Sequence, residues 1–359
     1  MKNLSINDAF DQLLIVCDRF PASTNESTMV YNYNKLMNIL QKKELFELIG
    51  NQDQIDAAHK LSAQFGDIAH DIVRGGPKGL TLDTYEALEK EIEDKLSGDP
   101  YIFSKQWGLS VKALYFYKKG DYKKAFDFSL ECIILNEYLV REGLFTLLFR
   151  TAEQNKNIVR VFFRNGDWEK GASLAKDLLS YLFNGDKGGL YGKIFGEIAI
   201  WKEIPYVREG YAYECFRAIV SLMIHFEKRW EKKNVDVFSK IFSTLEFEMD
   251  TPDRQIISQW IFLFNLSREG KHVDFLREFI LFMQDPLSRQ YDILKISLFI
   301  EVRELLKTSH YLQSEALLHA INNYMEKELN VKEFLKKDIS AINLVVLENA
   351  TPVEAIQAL

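Results

Sequence analysis

The chain has 359 residues, of which 47% are hydrophobic and 27% charged, enough apolar content for a large core without disulfide staples. Its 45 basic and 52 acidic side chains leave a net charge of −7 with no long run of one sign, which argues against a nucleic-acid-binding face, a basic arm or an acidic tail. No apolar stretch approaches bilayer-spanning length, and the three scattered cysteines, Cys17, Cys132 and Cys215, fit buried thiols in a reducing, cytoplasmic compartment.

Helical periodicity runs through nearly the whole chain, and two-residue alternation is almost absent, so the expected fold class is all-α. Residues 7–20, 27–49, 52–74 and 84–97 read as four helices, taken together as an N-terminal bundle over 1–97. Asn25–Thr28 supplies capping residues for the second helix, and Asp83 with Glu86 caps the fourth. Breaks fall at Arg74–Gly79 and at Ser97-Gly98-Asp99-Pro100.

Beyond Pro100 the helices pair. The first pair is about 101–119 with 122–137, and the second about 141–164 with 168–183. The glycine-rich stretch 184–192 reads as a loop, followed by a short helix to Trp201 and a break at Ile204-Pro205. Helices are expected over about 206–230 and 234–248, then two further pairs, about 252–268 with 272–285 and about 288–307 with 311–329. The domain reading is helical hairpins over 98–330 and a capping helix and tail over 331–359.

Two of the turns share one pattern, Phe116–Tyr122 and Phe162–Trp168, each an aromatic helix end, Gly-Asp, then an aromatic that opens the next helix. Arg268-Glu269-Gly270-Lys271 is a degenerate copy, and Thr308-Ser309-His310-Tyr311 takes the same place in the last pair. The spacing from Gly120 to Gly166 is 46 residues, from Gly166 to Gly270 104, and from Gly270 to Ser309 39. The repeat is structural, with units of unequal length.

Leu109, Ala113, Phe116, Gly120-Asp121-Tyr122 and Ala125 resemble a tetratricopeptide repeat, and Val159, Phe162, Gly166-Asp167-Trp168 and Gly171 form a similar unit. Gly171 stands where that family carries alanine, Lys112 where an apolar residue is usual and Ser129 where a bulky one is, and the units exceed the family's 34 residues. The resemblance implies an irregular right-handed α-solenoid, continuing from the N-terminal bundle, whose concave face binds a protein or peptide. It also admits a sensor arrangement, as in the bacterial peptide-pheromone receptors, in which peptide binding by the solenoid controls the N-terminal bundle. Residues 1–74 hold 7 basic against 10 acidic side chains, so a DNA-binding bundle is not expected.

Searches for chemistry return little. Asp56-x-x-His59 and Asp67-x-x-His70 lie 11 residues apart on one helix, about 16 Å along its axis, too far to close on one ion. A catalytic site at His59 and His70 is the enzymatic alternative to the non-enzymatic reading. Gly185, Gly188, Gly189 and Gly192 lack the preceding strand and the Lys-Ser/Thr pair of a phosphate loop. No metal and no cofactor is expected. The basic run Lys228–Lys233 reads as a solvated helix end. For a peptide groove the candidates are Tyr117, Phe163, Arg160, Arg164 and Tyr213, with Arg141, Arg150 and Lys202 as further anchors for an acidic or carboxylate group.

Overall fold

In a computed structural model of the chain, residues 5–24, 30–74, 82–196, 205–227 and 237–329 are described. Those residues form fourteen α-helices and two short 3-10 turns, with no strand among them. The helices are α1 (Ile6–Cys17), α2 (Val30–Ile49), α3 (Gln52–Arg74), α4 (Leu82–Lys95), α5 (Gly98–Lys119), α6 (Tyr122–Arg141), α7 (Leu147–Asn165) and α8 (Trp168–Asn184). They continue as α9 (Pro205–Glu227), α10 (Val237–Phe242), α11 (Pro252–Arg268), α12 (His272–Gln284), α13 (Asp292–Thr308) and α14 (Ser314–Glu328). No described helix is long and apolar enough to cross a membrane. The Asn25–Thr28 cap, Lys202, the basic run 228–233, most of the Arg74–Gly79 loop and the expected C-terminal cap over 331–359 lie outside the described residues.

The repeated turn has one backbone solution in three places. Gly120, Gly166 and Gly270 each take a left-handed conformation, with φ of 80°, 85° and 73°. In each case the next residue's N–H donates five residues back: Asp121 to Phe116 O at 3.0 Å, Asp167 to Phe162 O at 2.9 Å, and Lys271 to Leu266 O at 3.0 Å. This bond closes the carbonyls that a helix end leaves open, and glycine adopts the required φ without a Cβ clash. The fourth turn differs: Ser309 is extended, with φ −91° and ψ 152°, and its N–H reaches only Leu306 O.

Two expected helix bounds are corrected. The helix read from 141 begins at Leu147, because Gly143 at φ 113° ends α6 and Leu144 N–H closes back on Leu139 O at 2.9 Å. The helix read over 234–248, described from Val237, ends at Phe242; a turn follows, and 245–250 carry no regular structure.

The chain divides into two compact units, and the division falls within α9. One holds residues 29–215. In it α5 packs on α3, α4 and α6, α6 on α7, and α7 on α8. A Cβ on Gly108 of α5 would meet Phe65 Cζ of α3 at 2.7 Å and the Tyr85 hydroxyl of α4 at 3.0 Å, so the absent side chain is what lets these helices approach. Lys112, out of place for a tetratricopeptide unit, lies 5.1 Å over the Tyr85 ring and 5.2 Å over Phe128, with Glu89 3.7 Å away. The aliphatic stem and charge of a lysine thus suit an aromatic slot.

The other unit holds α1 and residues 216–347. Its aromatic centre is Trp260, which contacts Phe216, Phe242 and Phe264 at centroid distances of 5.3, 5.0 and 5.2 Å. The indole N–H donates to Ser297 Oγ at 2.9 Å. The sequence reading grouped residues 1–97, but α1 packs on α12 and α14. Phe10, Leu13 and Cys17 of α1 are fully buried, and Tyr311 O–H donates to Asp11 at 2.7 Å. The segment after α1 is fastened too: Ser23 O–H donates to Asp292 at 2.5 Å and Tyr324 O–H to Pro21 O at 2.9 Å.

Candidate functional site: a cationic seam between α5 and α7

Helix α7 carries Arg150, Glu153, Asn157, Arg160 and Arg164 at steps of three and four residues, which places all five on one face. From first to last they cover about 21 Å of helix axis at 1.5 Å per residue. A polar stripe of this kind faces water or a partner, yet Arg150 is buried and the other four are half-buried. They are sheltered in part by α5.

Side-chain contacts run along both helices in the same sense. The Arg150 guanidinium lies 3.7 Å from the Trp107 ring centroid. Gln154 Nε2 donates to Ser110 Oγ at 3.1 Å. Further along, Arg164 Nε donates to the Tyr117 hydroxyl at 3.1 Å. The residues from α5 therefore advance from 107 to 117 as those from α7 advance from 150 to 164, so the two helices run parallel along this seam.

The two ends of the seam differ electrostatically. At the Trp107 end Arg150 is ion-paired with Glu153, so its charge is matched within the stripe. At the Tyr117 end Arg160 and Arg164 are one helical turn apart, and Lys118 joins them from α5. Burial, and then the charges of Arg164 and Arg160, hold the Lys118 ammonium below the usual lysine range. Lys118, Arg160 and Arg164 thus lie within electrostatic reach of one another.

Polar groups near the Trp107 end are short of partners. Gln154 Oε1, Trp107 Nε1, Arg150 Nε and Gln106 Nε2 are buried and make no hydrogen bond. Gln106 and Gln154 are fully buried side chains. Beside them Cys132 Sγ lies 3.2 Å from Gln106 O, its thiol pushed up to about 12 by burial.

Of the five expected groove residues, Tyr117, Arg160 and Arg164 lie on this seam. Phe163 and Tyr213 do not: they are 1% and 0% exposed and belong to the core. Phe163 is one residue from Arg164 and so about 100° around the helix, off the polar stripe. There its ring fills the space that a Cβ on Gly171 would take, 3.0 Å from Phe163 Cδ2, which accounts for the glycine at that position. Arg150 anchors the far end of the seam, whereas Arg141 is an exposed residue at the last turn of α6. Trp107, Lys118, Gln154 and Asn157 are additions from the structure. The spacing of 150, 153, 157, 160 and 164 was the available signal for Asn157, but Trp107 and Lys118 are placed only by how α5 lies on α7.

Comparison of the chain with protein-family models, with curated proteins and with solved structures finds no match. The tetratricopeptide likeness thus rests on the residues quoted for it alone.

The alternatives for chemistry find little footing. His59 packs edge-on against Phe103 at 5.6 Å, and burial holds its imidazole below the usual histidine range. No group of three or more potential metal ligands gathers among the described residues. In the glycine-rich loop and the turn after it amides already serve acids: Gly189 N–H donates to Asp177 at 2.9 Å and Ile194 N–H to Glu137 at 2.8 Å. Asn155 clasps the same loop through Tyr191 N–H and O, each at 2.9 Å. Carboxylates there repel a phosphate, so the loop is a structural clasp.

Proposed function

We propose that this protein is a non-enzymatic binding scaffold that recognises a protein or peptide through the face formed by α5 and α7. On this reading the hairpins form an irregular right-handed tetratricopeptide-like solenoid, the first helix of each pair lines its concave side, and the protein works in the cytoplasm. The observation that carries it is the half-buried cationic stripe of α7 held against Tyr117 and Trp107 of α5. Polar groups sheltered in this way are expensive for a free surface and useful for a bound one, because recognition is strongest where the site is already partly dry.

Capture from a lysate of the source cells on immobilised protein, with partners identified by mass spectrometry, tests the proposal. Wild type retains a protein that Tyr117→Ala/Arg164→Glu releases, while far-UV circular dichroism and melting temperature stay close to wild type. Full retention by a folded double variant would sink the assignment of the face.

A further inference from the structure

We infer that the outer stripe of α11 is a surface on which a second copy of this chain packs, the two helices antiparallel about a two-fold axis and Phe262 of each copy seated against Met249 of the other. This goes beyond the binding face assigned to α5 and α7 and does not depend on it.

From Gln255 to Ser267 the chain carries no charged residue, although 27% of the whole sequence is charged. Ile257, Trp260, Ile261, Leu263, Phe264 and Leu266 of this run are buried, which leaves Gln255, Gln259 and Phe262 exposed. At 100° per residue those three fall within about 60° of one another and form one stripe about 10 Å long. Solvent-facing helix positions are ordinarily filled by charged side chains, and depletion of charge is the compositional mark of a surface that becomes covered. A solitary exposed phenylalanine needs no explanation. Phe262, at 53% exposed, is different because its neighbours on the stripe are uncharged amides.

A second apolar side chain closes the other end of the stripe. Gln255 Nε2 donates to Met249 O at 3.2 Å, which brings Met249, 59% exposed, beside the first turn of α11. Charges stand at the two ends and are paired within the chain: Asp250 lies 3.5 Å from Arg254, and Lys271 lies 2.7 Å from Glu269. A neutral centre inside a charged rim has the anatomy of an interface.

The chemistry of the stripe selects a second copy as its occupant. With a net charge of −7, two copies repel one another through most faces, whereas this stripe sets no like charges against each other. An amide side chain is donor and acceptor at once, so Gln255 and Gln259 complement their own copies, as a carboxylate or an ammonium does not. With one apolar anchor at each end, a two-fold axis through the middle brings Met249 to Phe262 twice, and a flexible thioether packs well against an aromatic ring. One helix pair covers less area than a permanent dimer needs, so the association is weak, with a dissociation constant on the order of 10 µM.

Sedimentation velocity of the full-length protein over a range of about 1 to 200 µM, which brackets such a constant, tests the inference. Wild type should pass from monomer to dimer within that range. Phe262→Glu should weaken self-association at least about tenfold and Met249→Lys several-fold, while Ile134→Glu, at an exposed position on α6, should leave it unchanged. An equimolar mixture of the Phe262→Glu and Met249→Lys proteins should recover a dimer, because the mixed pair keeps one wild-type contact and sets opposite charges together at the other. Only folded variants recover it, so the mixture separates a lost contact from lost folding, and far-UV circular dichroism checks each protein alone. A wild type that stays monomeric throughout would overturn the second copy as occupant. A dimer that persists in both folded variants would overturn the face, and weakened association with no recovery in the mixture would overturn the antiparallel pairing.

Discussion

Replacing Phe163 with alanine removes a fully packed ring, and such truncations cost about 3–5 kcal/mol. The neighbouring glycine makes the test sharper. A Cβ on Gly171 would lie 3.0 Å from Phe163 Cδ2 and 3.1 Å from Cε2, closer than a buried ring tolerates without shifting. Gly171→Ala alone therefore gains about 1 kcal/mol of helix propensity but loses about 1–3 kcal/mol to overpacking, for a net loss of about 1 kcal/mol. In a Phe163→Ala background the ring is gone, the propensity gain returns, and the same substitution should stabilise by about 1 kcal/mol. The coupling between the two sites is then about 2 kcal/mol, with a change of sign between backgrounds. Urea unfolding of the four proteins, followed by far-UV circular dichroism, measures it, and the corresponding shifts in melting temperature are about 2–4 °C per kcal/mol for a unit of this size. An equal effect of Gly171→Ala in both backgrounds would refute the close approach and with it the placement of Phe163 in the core.

Gly120→Ala and Gly166→Ala should each cost about 1–2 kcal/mol by thermal melting: a Cβ at either position meets nothing within 4 Å, so the whole effect is the left-handed backbone, and asparagine should recover part of it. Ser23→Ala should cost about 1–3 kcal/mol, because it removes the hydroxyl that donates to the buried Asp292 carboxylate at 2.5 Å, and Ser23→Thr should retain most of the stability if the hydroxyl is what matters. Burial pushes the Cys132 and Cys215 thiols from 9.0 up to about 12, so the folded chain keeps protons that the unfolded chain releases. Their contribution is complete below pH 9 and is lost as pH climbs toward about 12, at about 1.4 kcal/mol per pH unit for each thiol. Melts at rising alkaline pH should show a shallower decline for Cys132→Ala than for wild type. The same burial predicts that a thiol reagent at neutral pH titrates none of the three cysteines until the protein is unfolded.

How much of this was legible in the sequence varies with the range of the interaction involved. The helices over 52–74 and 252–268 appear at the residues the pattern predicts, since periodicity, caps and the proline at 252 act within a turn or two of helix. The expected helix over 234–248 stops early because nothing in its own pattern marks the end at Phe242, where the chain leaves the helix as Leu245 is buried in the core. For the site, Arg160 and Arg164 were readable as cations at one-turn spacing, and Tyr117 as an aromatic at a helix end. Phe163 and Tyr213 were misread because an aromatic residue has the same composition signal in a core as at a surface.

The sequence by itself determined that the chain is helical, where most helices stop, and that three turns close through a left-handed glycine, because those outcomes depend on φ, ψ and side chains a few residues apart. Only the tertiary structure decided which way each helix faces. It sent α1 to α12 and α14, hundreds of residues away, and it turned Phe163 inward while leaving Arg164 beside Tyr117. Neighbouring residues on a helix differ by about 100° in direction, and which direction becomes the interior is set by the partner that packs there.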